Sequence, residues 1–208
     1  MDRRNFLKIT SSTVGLSILG LSSSAHALLN CSPFNAQGVQ QCEAGIDSRI
    51  AAVTSVASGG QHMCQWCWAA CIEMVFKYND FYISQEAIVQ QAFGNIERFP
   101  GQPRHILTQL NRNWSDSSQA KFSVSGESYS TNLITASQDL SQNMPLIIGN
   151  MGHTMVLTSM KYDKDNWGNG HVKEAEVIDP WPGQGQRILS PEEWLGTSFL
   201  VCLRVSRG

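Results

Sequence analysis

The sixteen residues from Gln61 to Phe76, QHMCQWCWAACIEMVF, constrain the fold of this chain more than any other stretch. Three of the six cysteines lie here, and the run that follows Cys67 is almost wholly apolar. A helix that is apolar nearly all round belongs inside a protein, and Glu73 and Lys77, four residues apart, would form its one solvated stripe. Cys67 therefore lies where a polar segment becomes a buried helix.

The predicted position of Cys67 favours thiol chemistry. A helix N-terminus carries partial positive charge, which lowers the pKa of a nearby thiol and stabilises the nucleophilic thiolate. A cysteine nucleophile also needs a base to take its proton and a third group to orient that base. The candidate bases outside the N-terminal segment are His62, His105, His153 and His171.

A predicted β-hairpin selects one of these histidines. Residues 153–162 and 171–178 are rich in β-branched and apolar side chains, and a polar loop with two glycines joins them. If the loop is symmetric, cross-strand partners have residue numbers that sum to about 332, so His153 faces Asp179 with β-carbons roughly 5 Å apart. His171 would lie near the turn, roughly 26 Å along the strand from Asp179. The spacing therefore favours His153 as base and Asp179 as orienting group, although a bulge would shift the register by one.

The order of the predicted elements indicates an α+β protein with an N-terminal helical lobe and a C-terminal antiparallel β lobe. Ser84 is a typical N-cap for a second helix that begins at Gln85 and is stopped by Gly94. The remaining predicted elements are a helix over 106–111, a strand over 121–124, a helix over 135–142, and strands over 145–149 and 199–205.

The N-terminus has the features of an export signal. Arg3 and Arg4 begin a basic segment, RRNFLK, that resembles a twin-arginine signal, and Ala25-His26-Ala27 supplies a small-x-small cleavage pattern. The apolar run between them has about 13 residues, whereas a membrane span needs about 20. The sequence thus predicts a cleavable signal over 1–27, a lead-in segment over 28–60 and one domain over 61–208. It also predicts a periplasmic or secreted protein with no stable membrane association after cleavage.

Charge and cysteine content agree with this location. Removal of residues 1–27 leaves 12 basic and 16 acidic residues, a net charge of −4, which lacks the electrostatic footprint of a nucleic-acid binder. Disulfides persist outside the cytoplasm, and Cys31 and Cys42, which enclose a polar loop, are the favoured pair. The partners of Cys64, Cys71 and Cys202 are left open.

The segment Gln65-Trp66-Cys67-Trp68-Ala69-Ala70 resembles the papain-like cysteine peptidases, in particular the compact bacterial members that bear this motif. Gln61, six residues before Cys67, and the later Gly-His and Asp follow the order of the family, so the resemblance covers about residues 61–180. It implies the papain-like two-lobe fold, a peptide or protein substrate, and no cofactor or metal.

The resemblance also implies a role for each matching residue. Cys67 would be the nucleophile that forms a thioester acyl-enzyme, and His153 the general base and later the acid. Asp179 would orient the imidazole, where papain has Asn and bacterial relatives have Asp. The Gln61 side chain and the Cys67 N–H would form the oxyanion hole. The same machinery also supports transamidation or deamidation.

Other functions remain open from the sequence. Cys64 and Cys67 form a Cys-x-x-Cys pair that could exchange disulfides, or close as a disulfide that switches a peptidase off. His62, Cys64, Cys67 and Cys71 could hold a metal, although four ligands within a few residues of one helix leave no second ligand group to close the site. A binding domain without catalysis on the same fold is the third alternative.

Overall fold

The computed structural model describes residues 27–48, 60–94, 107, 110–129 and 132–208. The strands are β1 (Leu28–Cys31), β2 (Val39–Gly45), β3 (Asn113–Ser115), β4 (Lys121–Tyr129), β5 (Leu146–Asn150), β6 (His153–Asp165), β7 (Gly170–Asp179), β8 (Gly185–Ile188) and β9 (Thr197–Arg207). The helices are α1 (Cys67–Tyr78), α2 (Gln85–Phe93), α3 (Leu133–Ser141) and α4 (Pro191–Leu195). Within these ranges, no helix is both long enough and apolar enough to cross a bilayer.

The strands form one sheet in which every pairing is antiparallel, so the fold is a mixed one with a large antiparallel sheet. The main order is β1-β2-β6-β5-β9-β4-β3, and β7 and β8 continue from the other edge of β6. Strand β6 is the centre of this arrangement, since β5 pairs with its first half, β2 with its second half and β7 with most of its length. The start of β6, which carries His153, is paired with β5, and β7 joins on the other edge from Val156 on.

Strands β1 and β2 were missed by the sequence prediction, which treats residues 28–60 as a lead-in segment ahead of the domain. In the structure β2 pairs with β6, so in the part of the chain that the structure describes the sheet begins before the helices, and this part does not divide into a helical half followed by a sheet half. β1 has only four residues and β2 is interrupted by polar side chains, so both depend on their neighbours and their own pattern did not reveal them. Most of the predicted signal, residues 1–26, lies outside the described residues.

The predicted disulfide between Cys31 and Cys42 is confirmed. The two residues lie directly opposite each other on β1 and β2, with 4.1 Å between their Cα atoms. The other four cysteines, Cys64, Cys67, Cys71 and Cys202, are free thiols.

Helix α1 is buried as predicted and begins at Cys67. Nearly every residue from Trp68 to Phe76 lies in the core, where the helix packs against β6 and α2. The prediction of a solvated stripe was wrong for Glu73, which is only 6% exposed and forms an ion pair of 2.9 Å with Lys77. Glu73 is thus an internal charge, and such a charge needs partners.

Helix α2 follows the sequence prediction closely. The Ser84 hydroxyl accepts a hydrogen bond from the Ala87 N–H, and Gly94 ends the helix in the left-handed conformation at a φ of 76°. A glycine adopts this conformation without steric cost, which is why it ends helices so often. Of the predicted helix over 106–111, the structure describes residues 107, 110 and 111, and 107 and 110 are helical.

Candidate active site

Cys67 is the first residue of α1 and follows a turn that joins the preceding polar segment, residues 61–66, to the helix. The Trp66 N–H donates to the Met63 carbonyl over 3.0 Å, which closes this turn. Trp66 is the N-cap residue, yet no side chain caps the helix, and no acidic residue occupies its first turn. Cys67 therefore lies at the positive end of the helix dipole, which favours negative charge there.

His153 begins β6 directly after a two-residue turn that joins β5 to β6. Met151 and Gly152, at the centre of this turn, both have positive φ, as the hairpin geometry requires. His153 Nε2 lies 2.7 Å from Asp179 Oδ1, so the predicted contact between the two side chains is present. A carboxylate only accepts, so Nε2–H donates to Asp179 and the other ring nitrogen, Nδ1, is left for Cys67.

The register that brings His153 to Asp179 differs from the predicted one. Val156 pairs with Ile178, so the residue numbers sum to 334 rather than 332. Asp179 is therefore diagonal to His153 and not directly opposite. Because side chains alternate between the faces of a strand, a shift of two keeps both residues on the same face and within reach of each other. His171 lies near the turn as predicted, opposite Asp163 and well exposed.

Asp179 is held by more partners than sequence reasoning identified. Its Oδ1 also accepts from the Trp181 N–H at 2.8 Å, which follows from the Asp-Pro-Trp turn. Its Oδ2 accepts from Arg187 on β8, with Nε at 3.0 Å and Nη2 at 2.9 Å. The Arg187 guanidinium in turn donates to both carboxylate oxygens of Glu193, at 2.9 and 2.7 Å. Both oxygens of Asp179 are thus fixed, which fixes the imidazole that bonds to it.

The pKa shifts of Cys67, His153 and Asp179 favour an ion pair between a thiolate and an imidazolium. Burial raises the pKa of the Cys67 thiol, but the interaction with His153 and the backbone of Thr154 outweighs burial and lowers it below its ordinary value. Burial lowers the pKa of His153, but the hydrogen bonds to Asp179 and Cys67 raise it to about 9. Burial raises the pKa of Asp179, but the hydrogen bonds from His153 and the Trp181 N–H bring it below its ordinary value. The site therefore favours thiolate and imidazolium, up to about pH 9.

Gln61 is buried beside this group, at 7% exposure. Its N–H donates to the Pro180 carbonyl over 2.7 Å, which ties it to the residue after Asp179. Gly60 permits this close approach, since a β-carbon at that position would lie 2.9 Å from the Pro180 oxygen. The side-chain Nε2 donates to the Met63 carbonyl over 3.0 Å and not to Cys67, which leaves its second N–H as a donor.

The other candidate residues have separate environments. The ring of His62 bonds to Glu86, Cys64 is exposed, and Cys71 is fully buried with a raised pKa because of its burial. Among the residues that the structure describes, no three metal-binding side chains form a common site, so the four candidate ligands named above are not brought together. His105 lies outside the described residues.

No family model matches the chain, and its sequence matches no curated protein. Among solved structures, it is similar to a double glycine motif protease from an AMS/PCAT transporter, solved in complex with the leader peptide. The identity is 19%, the TM-score is 0.45, and the alignment covers 72% of this chain and 89% of the other. At this level the similarity concerns the course of the backbone, and it assigns no residue of this chain a role.

Proposed function

We propose that the protein is a papain-like cysteine peptidase that hydrolyses a peptide or protein substrate through Cys67, His153 and Asp179. The observation that carries the proposal is the hydrogen bond between His153 and Asp179, with Cys67 at the start of a buried helix and close enough to His153 for each to shift the pKa of the other. A thiol, a base and an orienting carboxylate in this order form the arrangement that nucleophilic catalysis requires. The resemblance of residues 61–180 to this family supports the same roles.

In the first half of the reaction, the Cys67 thiolate attacks the carbonyl carbon of the substrate. As the carbon–sulfur bond forms, the carbonyl oxygen gains the negative charge and accepts hydrogen bonds from the Cys67 N–H and the second N–H of Gln61 Nε2. The His153 imidazolium then gives its proton to the amine as the carbon–nitrogen bond breaks. The products of this half are a free amine and a thioester at Cys67.

In the second half, neutral His153 takes a proton from water, and the resulting hydroxide attacks the thioester. The carbon–sulfur bond breaks, the carboxylic acid leaves, and the Cys67 thiolate and His153 imidazolium return. Asp179 holds the imidazole in one orientation through both halves and stabilises its positive charge. An amine in place of water would give transamidation, so the acceptor decides between the two outcomes.

The proposal predicts selective labelling of Cys67 by peptide-based electrophiles. The purified protein would be incubated with an irreversible peptidyl inhibitor that targets thiol peptidases, and the adduct would be mapped by mass spectrometry. We expect one adduct, at Cys67, in the wild type and in Cys64→Ser, and none in Cys67→Ser. Equal labelling of wild type, Cys67→Ser and His153→Ala would contradict the proposed peptidase function. Adducts that require Cys64 would favour the thiol–disulfide oxidoreductase instead, and absence of labelling and hydrolysis would favour a binding domain.

We further propose that the protein is exported and that residues 1–27 are removed. The paired arginines, the Ala25-His26-Ala27 pattern and the disulfide between Cys31 and Cys42 support this, since disulfides persist in oxidising compartments. N-terminal sequencing of the protein recovered from a bacterial periplasm is expected to begin at Leu28. An intact N-terminus, or recovery from the cytoplasm alone, would contradict export.

A further inference from the structure

The side chain of Gln85, at the start of α2, is wholly buried and uses both ends of its amide. Its Oε1 accepts a hydrogen bond from the His62 N–H at 2.9 Å. Its Nε2 donates to the Gly60 carbonyl at 2.9 Å and to Glu73 Oε2 at 2.8 Å. Two of these three partners are the backbone groups on either side of Gln61. A glutamine is suited to this position, since a single side chain supplies both a donor and an acceptor.

These bonds fix the backbone of Gln61 on both sides. The peptide unit before it is held at the Gly60 carbonyl by Gln85 and at the Gln61 N–H by the Pro180 carbonyl. The peptide unit after it is held at the His62 N–H by Gln85. With both peptide planes fixed, the two dihedral angles of Gln61 are fixed as well, and its side chain starts from a defined direction.

The third bond of Gln85 connects this segment to the helix that carries Cys67. Glu73 lies on α1, six residues after Cys67, and its other oxygen forms the ion pair with Lys77 at 2.9 Å. Gln85 therefore bridges the segment around Gln61 and the helix of the nucleophile. A buried network whose members all have partners is rigid, and the loss of one member leaves the others unsatisfied.

We propose that Gln85 is a positioning residue that sets the Gln61 amide relative to Cys67 and so completes the oxyanion hole. The inference rests on the proposed peptidase function. Gln85 does not touch the reacting atoms and acts through Gln61. Because Gln85 acts through a donor to the oxyanion, it should affect only the step in which the oxyanion develops. The effect should be large, since small displacements of a donor in such a site reduce the rate strongly.

The test separates oxyanion stabilisation from thiol reactivity. Gln85→Leu keeps the side-chain size but removes all three hydrogen bonds, and Gln85→Asn is the milder variant in case the first does not fold. We expect each to lower kcat/KM for a peptide by about 10-fold or more. The rate at which iodoacetamide alkylates Cys67 should be unchanged, since that reaction forms no oxyanion. Gln91→Leu, the same substitution on the exposed face of α2, is the matched control and should have no effect.

A double variant gives the decisive result. If Gln85 acts through Gln61, then Gln61→Ala with Gln85→Leu is no slower than Gln61→Ala alone, which itself should lose about a hundredfold. The positioning role would be overturned if the two losses in kcat/KM multiplied in the double variant. It would also be overturned if Gln85→Leu lowered the rate of Cys67 alkylation as much as it lowered kcat/KM. Failure of the wild-type protein to hydrolyse any peptide would instead refute the proposed function and this role with it.

Discussion

Replacing Cys67 with serine is expected to lower peptide hydrolysis by about 10⁴-fold or more. A serine hydroxyl is far less acidic than a thiol, so the imidazolium of His153 that stabilises a thiolate cannot hold an alkoxide in the same way. The fold should be unaffected, because serine has nearly the same size and the helix begins at this residue in either case. The measurement is kcat/KM on the best peptide from a library digest, with a thermal melt of each protein.

Cys64→Ser is the matched control for this variant. Cys64 is an exposed free thiol three residues earlier in the same segment, so its loss should leave the rate of hydrolysis unchanged within about twofold. A Cys67→Ser protein as active as the wild type would show that the nucleophile lies elsewhere. Loss of activity in both variants would point to chemistry that needs the pair of thiols.

Replacing His153 with alanine should reduce hydrolysis by a similar factor and also change the pH dependence of Cys67 alkylation. In the wild type the thiolate forms once the pH exceeds the lowered pKa of Cys67, so iodoacetamide should react at a lower pH than an ordinary thiol needs. Without His153, burial is no longer opposed by the imidazolium, and the alkylation profile should move to higher pH. Hydrolysis by the wild type should fall above about pH 9, where His153 loses the proton that the leaving amine requires.

His171→Ala provides the comparison, since this imidazole lies on the same hairpin but is exposed and far from Cys67. Its loss should alter neither the rate nor the pH profile. If the alkylation profile of the His153→Ala protein coincided with that of the wild type, the ion pair between Cys67 and His153 would be ruled out.

The parts of the site that could be predicted from sequence are those with a local pattern. The apolar run after Cys67 indicated α1 and its start, and the Ser84 and Gly94 signals gave the bounds of α2. The contact between His153 and Asp179 was predicted although the register was wrong by two, since a shift of two preserves the face of the strand.

The residues that support the site have no such pattern. Arg187 reaches Asp179 because β8 pairs with β7, and Glu193 reaches Arg187 from α4, two elements that the sequence did not predict. Gln85 was identified only as the polar first residue of a helix. Its burial depends on the segment around Gln61 folding over it, and a sequence pattern cannot show which distant segment covers a helix start.

The length of β6 separates the disulfide at one edge of the sheet from the site formed by Cys67 and His153. Cys42 lies opposite Tyr162, about nine residues and so roughly 30 Å along β6 from His153. A reductant that protects the Cys67 thiol during an assay would also open the disulfide between Cys31 and Cys42, at a cost of about 3 kcal/mol in unfolding free energy for a loop of this length. Because β5 and not β2 pairs with the start of β6, opening this disulfide should lower the stability of the outer strands while His153 stays beside Asp179. A loss of activity under reducing conditions should therefore follow unfolding and not a change in the site.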